Sequence, residues 1–322
     1  MMLYLLSLQQ GQTLEQKVIR TDCQRAYLRA AASWAVDAGL PSPIYSESDH
    51  FFPSKPSLLP RLQQLIDNQR NWQGPMDKKE PVTPAMIIEM ATLTASMSPD
   101  SDFAAMYDWS ALGISTGHRR VEYAQLTRKE FQYIHIQTKG SPIPTKQPYA
   151  FMEGDFLFLD QFRRPLRGTD RAFAAYVRIR WRTQKNRVNG ETKLFARARD
   201  FRLSPVRAAF RIQQRFERLQ PHSRILGVSE RGFLTAPALT SFIRLIAARV
   251  LGPTATPEVL SLYTPHSIRI GACVLLHEHG HSAIFIKNRL RWKSDTFMDY
   301  LRDTVSLARK HAASLFSALG FH

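Results

Sequence analysis

Residues 264–302 read TPHSIRIGACVLLHEHGHSAIFIKNRLRWKSDTFMDYLR, and this stretch holds the pattern that predicts the fold. His266 and Arg269 stand three positions apart at the start of an apolar segment. Trp292 follows 23 residues after Arg269, and Tyr300 comes eight residues after Trp292. A guanidinium holds phosphate oxygens through two parallel hydrogen bonds, an imidazole transfers protons near neutral pH, and a phenol can act as a nucleophile. Together these residue types favour phosphoryl transfer without a metal.

A second motif lies upstream, where residues 103–125 read FAAMYDWSALGISTGHRRVEYAQ. Its apolar part predicts a helix that ends at Thr116 and Gly117, because glycine permits the left-handed turn that terminates many helices. Arg119 and Glu122 follow this turn and are expected to begin the next helix.

The HxxR motif, the later Trp and Tyr, and the upstream Thr-Gly-x-Arg-x-x-Glu resemble the catalytic domain of the tyrosine recombinases, also called phage-type integrases. Within the family, the segment RWKSDTFMDYLR (291–302) resembles in particular the integrase-like proteins of eukaryotic mobile elements. The resemblance implies catalytic roles for seven residues: Tyr300, Arg119, Arg269, His266, Lys185, Trp292 and Glu122.

In such an enzyme, Tyr300 would attack a DNA phosphate and form a 3′-phosphotyrosine. Arg119 and Arg269 would stabilise the charged transition state. Glu122 would support Arg119, and the adjacent Arg120 is the competing candidate for the same role. The resemblance implies no cofactor, because the phosphotyrosine ester retains the energy of the broken bond.

His266 would move a proton to or from the tyrosine, and Trp292 would pack behind the phosphate and donate its indole N–H. The tyrosine itself is expected on a helix that Ser294 can cap. The family carries a lysine on a β-hairpin, where it protonates the leaving 5′ oxygen. Lys185 matches that position, and Lys193 is the alternative.

The apolar periodicity predicts a mainly α-helical chain with a small antiparallel β-sheet. The resemblance implies a tyrosine-recombinase catalytic domain over residues 83–322. A short helical, SAM-like core-binding domain would precede it over residues 1–75, with a linker over residues 76–82. Thr83 and Pro84 fit the N-cap and first position of the first catalytic-domain helix.

Arginines alternate with apolar residues in AYVRIRWR (175–182), which predicts a strand with one face toward a polyanion. Asn189 and Gly190 mark a hairpin turn. Arg207, Arg211 and Arg215 recur every four residues on a predicted helix, where like charges repel unless phosphates neutralise them or solvent screens them.

The formal net charge is +17, which suits a nucleic acid as partner. Near the start of the chain, the predicted helix from Asp22 carries apolar positions at Ala26, Ala30 and Trp34, with Tyr27 and Leu28 beside them. Arginines from the basic helices and the basic strand region are the expected contacts with double-stranded DNA: Arg20, Arg25, Arg29, Arg178, Arg180, Arg182, Arg187, Arg207 and Arg211.

The only cysteines, Cys23 and Cys273, predict no disulfide framework and no cysteine metal site. No apolar run is long enough for a membrane span or a signal peptide. We expect a soluble intracellular protein associated with DNA, in the nucleus of a eukaryote or the nucleoid of a bacterium. Strand exchange needs several active sites, so the resemblance implies a dimer or tetramer assembled on DNA.

Three alternatives stay open. His277, Glu278 and His281 form a literal HExxH zinc motif, although Gly280 interrupts the helix that such a motif needs. A type IB topoisomerase shares the same catalytic constellation and would relax supercoiled DNA as a monomer. A protein derived from a mobile element could also bind DNA without cleaving it.

Overall fold

The computed structural model describes residues 21–40, 60–72, 78–125, 131–136, 145–184, 188–221 and 223–301. The chain forms two compact units, residues 1–77 and 78–322. Helices predominate in the described parts, and the strands form small antiparallel sheets, so the predicted fold class is confirmed. Among the described helices, none combines the length and the apolar character that crossing a bilayer requires.

The first unit contains two described helices, α1 (Thr21–Asp37) and α2 (Pro60–Trp72). Its small core is formed by four residues: Leu28, Ala32, Leu62 and Ile66. The sequence predicts apolar positions of α1 at Ala26, Ala30 and Trp34, with Tyr27 and Leu28 beside them. Leu28 is buried, but Ala30, Trp34 (73% exposed) and Tyr27 are exposed, so the centre of the predicted face is wrong. Alanines lie on several sides of α1, so the position of Leu28 against α2 decides which side is buried.

The second unit contains seven described α-helices: α3 (Pro84–Thr94), α4 (Asp102–Thr116), α5 (Pro205–Leu219), α6 (Ala236–Leu251), α7 (Pro257–Ser261), α8 (His266–Glu278) and α9 (Ala283–Arg289). It also contains four described 3₁₀ helices: Arg120–Glu122, Gly168–Phe173, Gly252–Thr254 and Asp295–Tyr300. Helix α4 lies at the centre, packed against α3, α5 and α8, and most of its residues are buried. It therefore fixes the relative positions of the elements that carry the candidate site.

Two predicted helix boundaries are confirmed. The Thr83 side chain accepts a hydrogen bond from the backbone N–H of Met86, and Pro84 follows it at the first helical position of α3. At the other boundary, α4 ends at Gly117, which adopts a left-handed conformation with φ 58°. The left-handed turn directs the next residues, including Arg119, toward α8 instead of continuing along α4.

The strands of the second unit are β1 (Tyr133–Ile136), β2 (Thr145–Pro148), β3 (Phe156–Leu159), β4 (Tyr176–Trp181), β5 (Glu191–Ala196), β6 (Val228–Ser229) and β7 (Gly232–Phe233). The main sheet has the order β3-β4-β5, and β4 pairs with β5 in antiparallel register from Tyr176 opposite Ala196 to Trp181 opposite Glu191. This is the predicted hairpin. Alternate residues of β4 are buried, so Arg178 and Arg180 are exposed on the other face.

Residues 78–82 belong to the second unit, where they overlap the predicted linker at 76–82 and pack along α8. The backbone N–H of Val82 donates to the carbonyl of Ser267 at 3.0 Å. Gly271 faces the carbonyl oxygen of Val82 so closely that a Cβ would overlap it. The absence of a side chain at Gly271 therefore allows this segment to lie against α8 and to fix the helix that carries His266 and Arg269.

Candidate active site

His266 and Tyr300 lie against each other in the second unit. His266 is the first residue of α8, and Tyr300 is the last residue of the 3₁₀ helix Asp295–Tyr300. The Nε2 atom of His266 is 3.1 Å from the phenolic oxygen of Tyr300. His266 as a residue keeps some surface open to solvent, but its ring packs against Tyr300, which is itself partly exposed. A nucleophile in hydrogen-bond contact with a base is the arrangement that covalent catalysis requires.

The segment that presents Tyr300 is held by one buried aromatic side chain. Phe297 packs in a cluster with four buried residues. Ala272 and Cys273 belong to α8, Ile286 belongs to α9, and Leu290 directly follows α9. The segment is a 3₁₀ helix closed by an i→i+3 bond from Leu301 N–H to the carbonyl of Met298, and Ser294 provides no side-chain cap. The predicted capped helix is therefore corrected, because such short segments commonly adopt the tighter 3₁₀ winding.

Arg269 lies beneath this pair, one turn into α8, and is 1% exposed. Its Nη1 donates to the carbonyl of Gly117, and its Nη2 donates to the carbonyl of Leu290 at 2.8 Å. The guanidinium carbon lies 4.1 Å from the centre of the Trp292 ring. The turn after α4, the helix α8 and the segment before the tyrosine are thus joined by one guanidinium.

Trp292 connects Arg269 to the tyrosine. Its ring centroid is 5.6 Å from that of Tyr300 and 6.3 Å from that of Phe297. The indole Nε1 is buried and has no hydrogen-bond partner in the part of the chain that the structure describes. A buried N–H without an acceptor is rare in folded proteins, which makes this donor a candidate contact for a bound oxygen.

Arg119 follows the left-handed turn at Gly117, and its side chain is 21% exposed. Glu122 is buried and accepts two hydrogen bonds from Arg119, from the backbone N–H at 3.0 Å and from Nη1 at 3.3 Å. The indole Nε1 of Trp181 donates to the same carboxylate at 3.1 Å. Of the two adjacent arginines, Arg119 contacts Glu122, whereas Arg120 has an exposed side chain.

The structure adds a residue that the sequence did not reveal. Arg291, directly before Trp292, has a side chain that is 0% exposed and lies opposite Glu122, with Nη2 3.3 Å from one carboxylate oxygen and Nη1 3.4 Å from the other. Its guanidinium carbon is 3.7 Å from the centre of the Trp181 ring. Only its position beside Trp292 could have drawn attention to it, because arginine is usually exposed.

The cluster is rich in positive charge. Among the described residues, Arg119 and Arg291 contact the carboxylate of Glu122, and the charge of Arg269 acts on it from further away. Burial alone would raise the pKa of Glu122, but Arg291 and Arg119 lower it to about 2. Burial, followed by the charge of Arg269, lowers the pKa of His266 to about 4. At neutral pH the site therefore combines a neutral imidazole with excess positive charge, which attracts an anion.

The predicted leaving-group lysine cannot be compared with this cluster, because Lys185 lies outside the described residues, as do Arg187 and Arg20. The alternative, Lys193, is described on β5, where its Nζ is 2.9 Å from Glu191. This ion pair occupies Lys193 within its own strand.

The predicted DNA-binding arginines fall into different environments. Arg29, Arg178, Arg180 and Arg207 are exposed. The side chain of Arg25 lies outside the described part of the structure. Arg182 instead turns inward at the end of β4 and forms two hydrogen bonds of 2.7 Å with the buried carboxylate of Asp155. Arg182 thus has an internal partner that Arg178 and Arg180 do not share.

Two of the three arginines in the row on α5 pair with one carboxylate inside the protein. Asp108 on α4 is buried and accepts hydrogen bonds from Arg211 and from Arg215, the latter at 2.5 Å. Arg215 is 1% exposed and also donates to the carbonyl of Pro99. The expectation that phosphates or solvent neutralise this row is corrected for these two residues, whereas Arg207 remains exposed.

The HExxH segment does not form one helical face. Helix α8 ends at Glu278, and Gly280 has φ 79°, so His281 lies beyond the helix that carries His277. The ring of His281 stacks on Phe285 instead. Within the described residues, no three histidine, cysteine or acidic side chains converge in a way that could hold a metal ion.

No protein-family profile matches the sequence, and no curated protein is detectably similar to it. Among solved structures, the Tn1549 transposon integrase in complex with transposon right end DNA is 12% identical, with a TM-score of 0.47 over 98% of this chain and 85% of that one. XerA recombinase is 14% identical, with a TM-score of 0.41 over 92% and 76%.

A lambda integrase dimer bound to a COC′ core site is 12% identical, with a TM-score of 0.40 over 94% of this chain and 88% of that one. At such identities the roles of individual residues depend on the geometry of this site alone. These three solved proteins are described as an integrase, a recombinase and an integrase.

Proposed function

We propose that the protein is a tyrosine recombinase that cleaves and rejoins double-stranded DNA through Tyr300. The observation that carries the proposal is the contact of 3.1 Å between Tyr300 and the imidazole of His266, beside a cluster of buried guanidiniums. A phenol held by a neutral imidazole can pass its proton to Nε2 as it attacks, provided that Nδ1 carries the ring proton.

In the proposed reaction, the phenolic oxygen forms a bond to the scissile phosphorus and the bond from phosphorus to the 5′ oxygen breaks. Arg119 and Arg269 stabilise the charge that develops on the non-bridging oxygens, and the unpaired indole N–H of Trp292 donates to one of them. Lys185 supplies the proton that converts the leaving oxygen into a 5′ hydroxyl. Rejoining reverses these steps with a different 5′ hydroxyl, so no ATP and no metal are required.

The net charge of +17 and the exposed arginines Arg178 and Arg180 support double-stranded DNA as the substrate. Exchange between two duplexes needs more than one tyrosine, so a dimer or tetramer assembled on DNA is part of the proposal. The site is distributed over the turn and 3₁₀ helix that follow α4, over α8 and over the segment that follows α9, all of which belong to one unit. Each protomer would therefore contribute a whole set of the described site residues.

The test is the trapping of a covalent adduct. The protein is incubated with nicked duplexes from the DNA that flanks its gene, and the products are separated on a denaturing gel with and without EDTA. Wild type should give an adduct in both conditions and Tyr300→Phe none, while Tyr133→Phe, which alters an exposed tyrosine on β1, should behave as wild type. An adduct from Tyr300→Phe would exclude the proposal. Relaxation of supercoiled plasmid by a monomer, without joining of two duplexes, would indicate a topoisomerase.

A further inference from the structure

Arg291 carries two unfavourable features in one residue. Its charged side chain is 0% exposed, and its backbone has φ 60°, in the left-handed region that side chains other than glycine rarely adopt. Burial of a charge and a left-handed conformation both cost free energy, and such features cluster where a site needs them. The conformation is thus a reason to look for what Arg291 does to the neighbouring residues.

The turn at Arg291 lies between two residues that contact Arg269. The carbonyl of Leu290 accepts from Arg269, and the Trp292 ring lies under the same guanidinium. The carbonyl of Arg291 itself lies 3.5 Å from Nη2 of Arg119. The backbone of residues 290–292 therefore serves both arginines of the candidate site, and it would keep this path with glycine at position 291.

The Arg291 side chain acts at a different point, on Glu122. The carboxylate lies between Arg119 on one side and Arg291 on the other, and each of its oxygens contacts both residues. The side-chain oxygen of Gln184 also accepts a hydrogen bond from Arg291 Nη1 at 3.4 Å, which helps to hold the guanidinium in place. Without Arg291, a buried Glu122 would keep Arg119 as its one cationic contact, and burial would favour the protonated acid.

We propose that Arg291 is a positioning residue for the DNA-cleavage reaction, because its guanidinium holds Glu122 as a carboxylate in the place where it orients Arg119 toward the scissile phosphate. This inference rests on the proposed function. Arg291 itself is buried behind Glu122 and does not meet the substrate.

The pH dependence of the reaction reports on this role. Within the described part of the chain, the charged and titratable groups that interact with Glu122 are His118, Arg119, Tyr123, Arg269 and Arg291, with Glu191 behind Arg291. Burial lowers the pKa of His118 to about 3 and raises that of Tyr123. Neither of these two groups changes charge between mildly acidic and mildly basic pH. A new titration in that range after removal of Arg291, distinct from that of the His266 base, would therefore belong to Glu122.

Arg291→Gly tests the proposal, because glycine tolerates the left-handed backbone while the guanidinium is lost. The rate of adduct formation is measured on a nicked duplex that traps the wild-type protein. We expect DNA affinity to stay within a factor of about three, the rate at neutral pH to fall about tenfold or more, and the acid limb of the rate to move to higher pH. Millimolar guanidinium ion, but not the same concentration of NaCl, should restore part of the rate.

Arg289→Ala is the matched control, since Arg289 also places its guanidinium over an aromatic ring, that of Phe195 at 4.1 Å, but does not contact Glu122. Guanidinium ion should leave its rate unchanged. If Arg291→Gly does not fold, Arg291→Lys applies the same pH test, with a smaller shift because an ammonium cannot bind both carboxylate oxygens in a fork. A rate and pH profile equal to those of wild type would overturn the positioning role, whereas absence of an adduct from wild type would overturn the proposed function instead.

Discussion

The Nε2 atom of His266 lies 3.1 Å from the phenolic oxygen of Tyr300, although 34 residues separate them in sequence. The two rings are 5.5 Å apart and inclined at 67°, so the nitrogen points at the hydroxyl instead of stacking on the phenol. This contact forms because Phe297 anchors the 3₁₀ segment on Ala272 and Cys273 of α8. The same helix thus supplies the base and the surface on which the nucleophile docks.

The first prediction concerns the protonation of His266. Burial and the neighbouring arginines, Arg269 first, lower its pKa from 6.5 to about 4, so the ring is neutral at pH 7. We expect an NMR titration of the free protein to show the His266 ring protonating near pH 4. Because the unfolded chain binds this proton at higher pH, the stability that the neutral ring contributes is full above pH 6.5 and is lost as the pH falls toward 4. A midpoint near 6.5 would contradict the desolvated site.

The second prediction concerns the geometry of Arg269. Its guanidinium donates to two carbonyls, those of Gly117 and Leu290, and its carbon lies 4.1 Å from the centre of the Trp292 ring. Lysine keeps the positive charge but cannot reproduce this planar fork. Arg269→Lys should therefore slow adduct formation, with a loss of transition-state stabilisation on the order of 3 kcal/mol. A rate close to that of wild type would show that charge alone suffices at this position.

Much of the candidate site follows from sequence because its residues lie in short local patterns. His266 and Arg269 share one turn of helix, and Gly117 predicts the turn that places Arg119 and Glu122. Local spacing determines which side chains leave a turn together, and it needs no knowledge of the rest of the fold.

The parts that could not be predicted depend on long-range packing. Asp108 meets Arg211 and Arg215, which lie 103 and 107 residues further along the chain, and no local pattern connects them. Arg291 adopts a left-handed conformation that arginine rarely takes, so its sequence context predicts an exposed side chain. In α1, the choice of face depended on α2, which the helical periodicity of α1 does not contain.

The third prediction follows from the long-range cluster at Asp108. Replacing Asp108 by alanine leaves Arg215 buried without its counter-charge, so the free energy of unfolding should fall by about 3–5 kcal/mol. Urea denaturation would measure this loss. The matched control is Asp100→Ala, which breaks the partly exposed pair with Arg218 and should cost about 0–1 kcal/mol. Equal losses in the two variants would show that the buried cluster contributes no more than a surface ion pair.

The fourth prediction compares the exposed arginines of β4 with Arg182, which directly follows β4 and has a partner inside the protein. Arg178 and Arg180 are exposed on the outer face of β4, whereas Arg182 is held by Asp155. Each phosphate contact contributes about −0.9 to the slope of log affinity against log salt concentration. The double variant Arg178→Ala, Arg180→Ala should therefore make that slope shallower by about 2. Fluorescence anisotropy with a labelled duplex over a series of NaCl concentrations measures it.

Arg182→Ala is the control for this surface, because it removes the same charge from a residue that already has an internal partner. Its salt slope should equal that of wild type, while its melting temperature should fall, since the buried carboxylate of Asp155 loses both of its hydrogen bonds from Arg182. If the double variant kept the wild-type slope, the exposed face of β4 would not lie on the DNA, and Arg178 and Arg180 would not contact phosphates. If Arg182→Ala made the slope shallower instead, the pair with Asp155 would have to open when DNA binds.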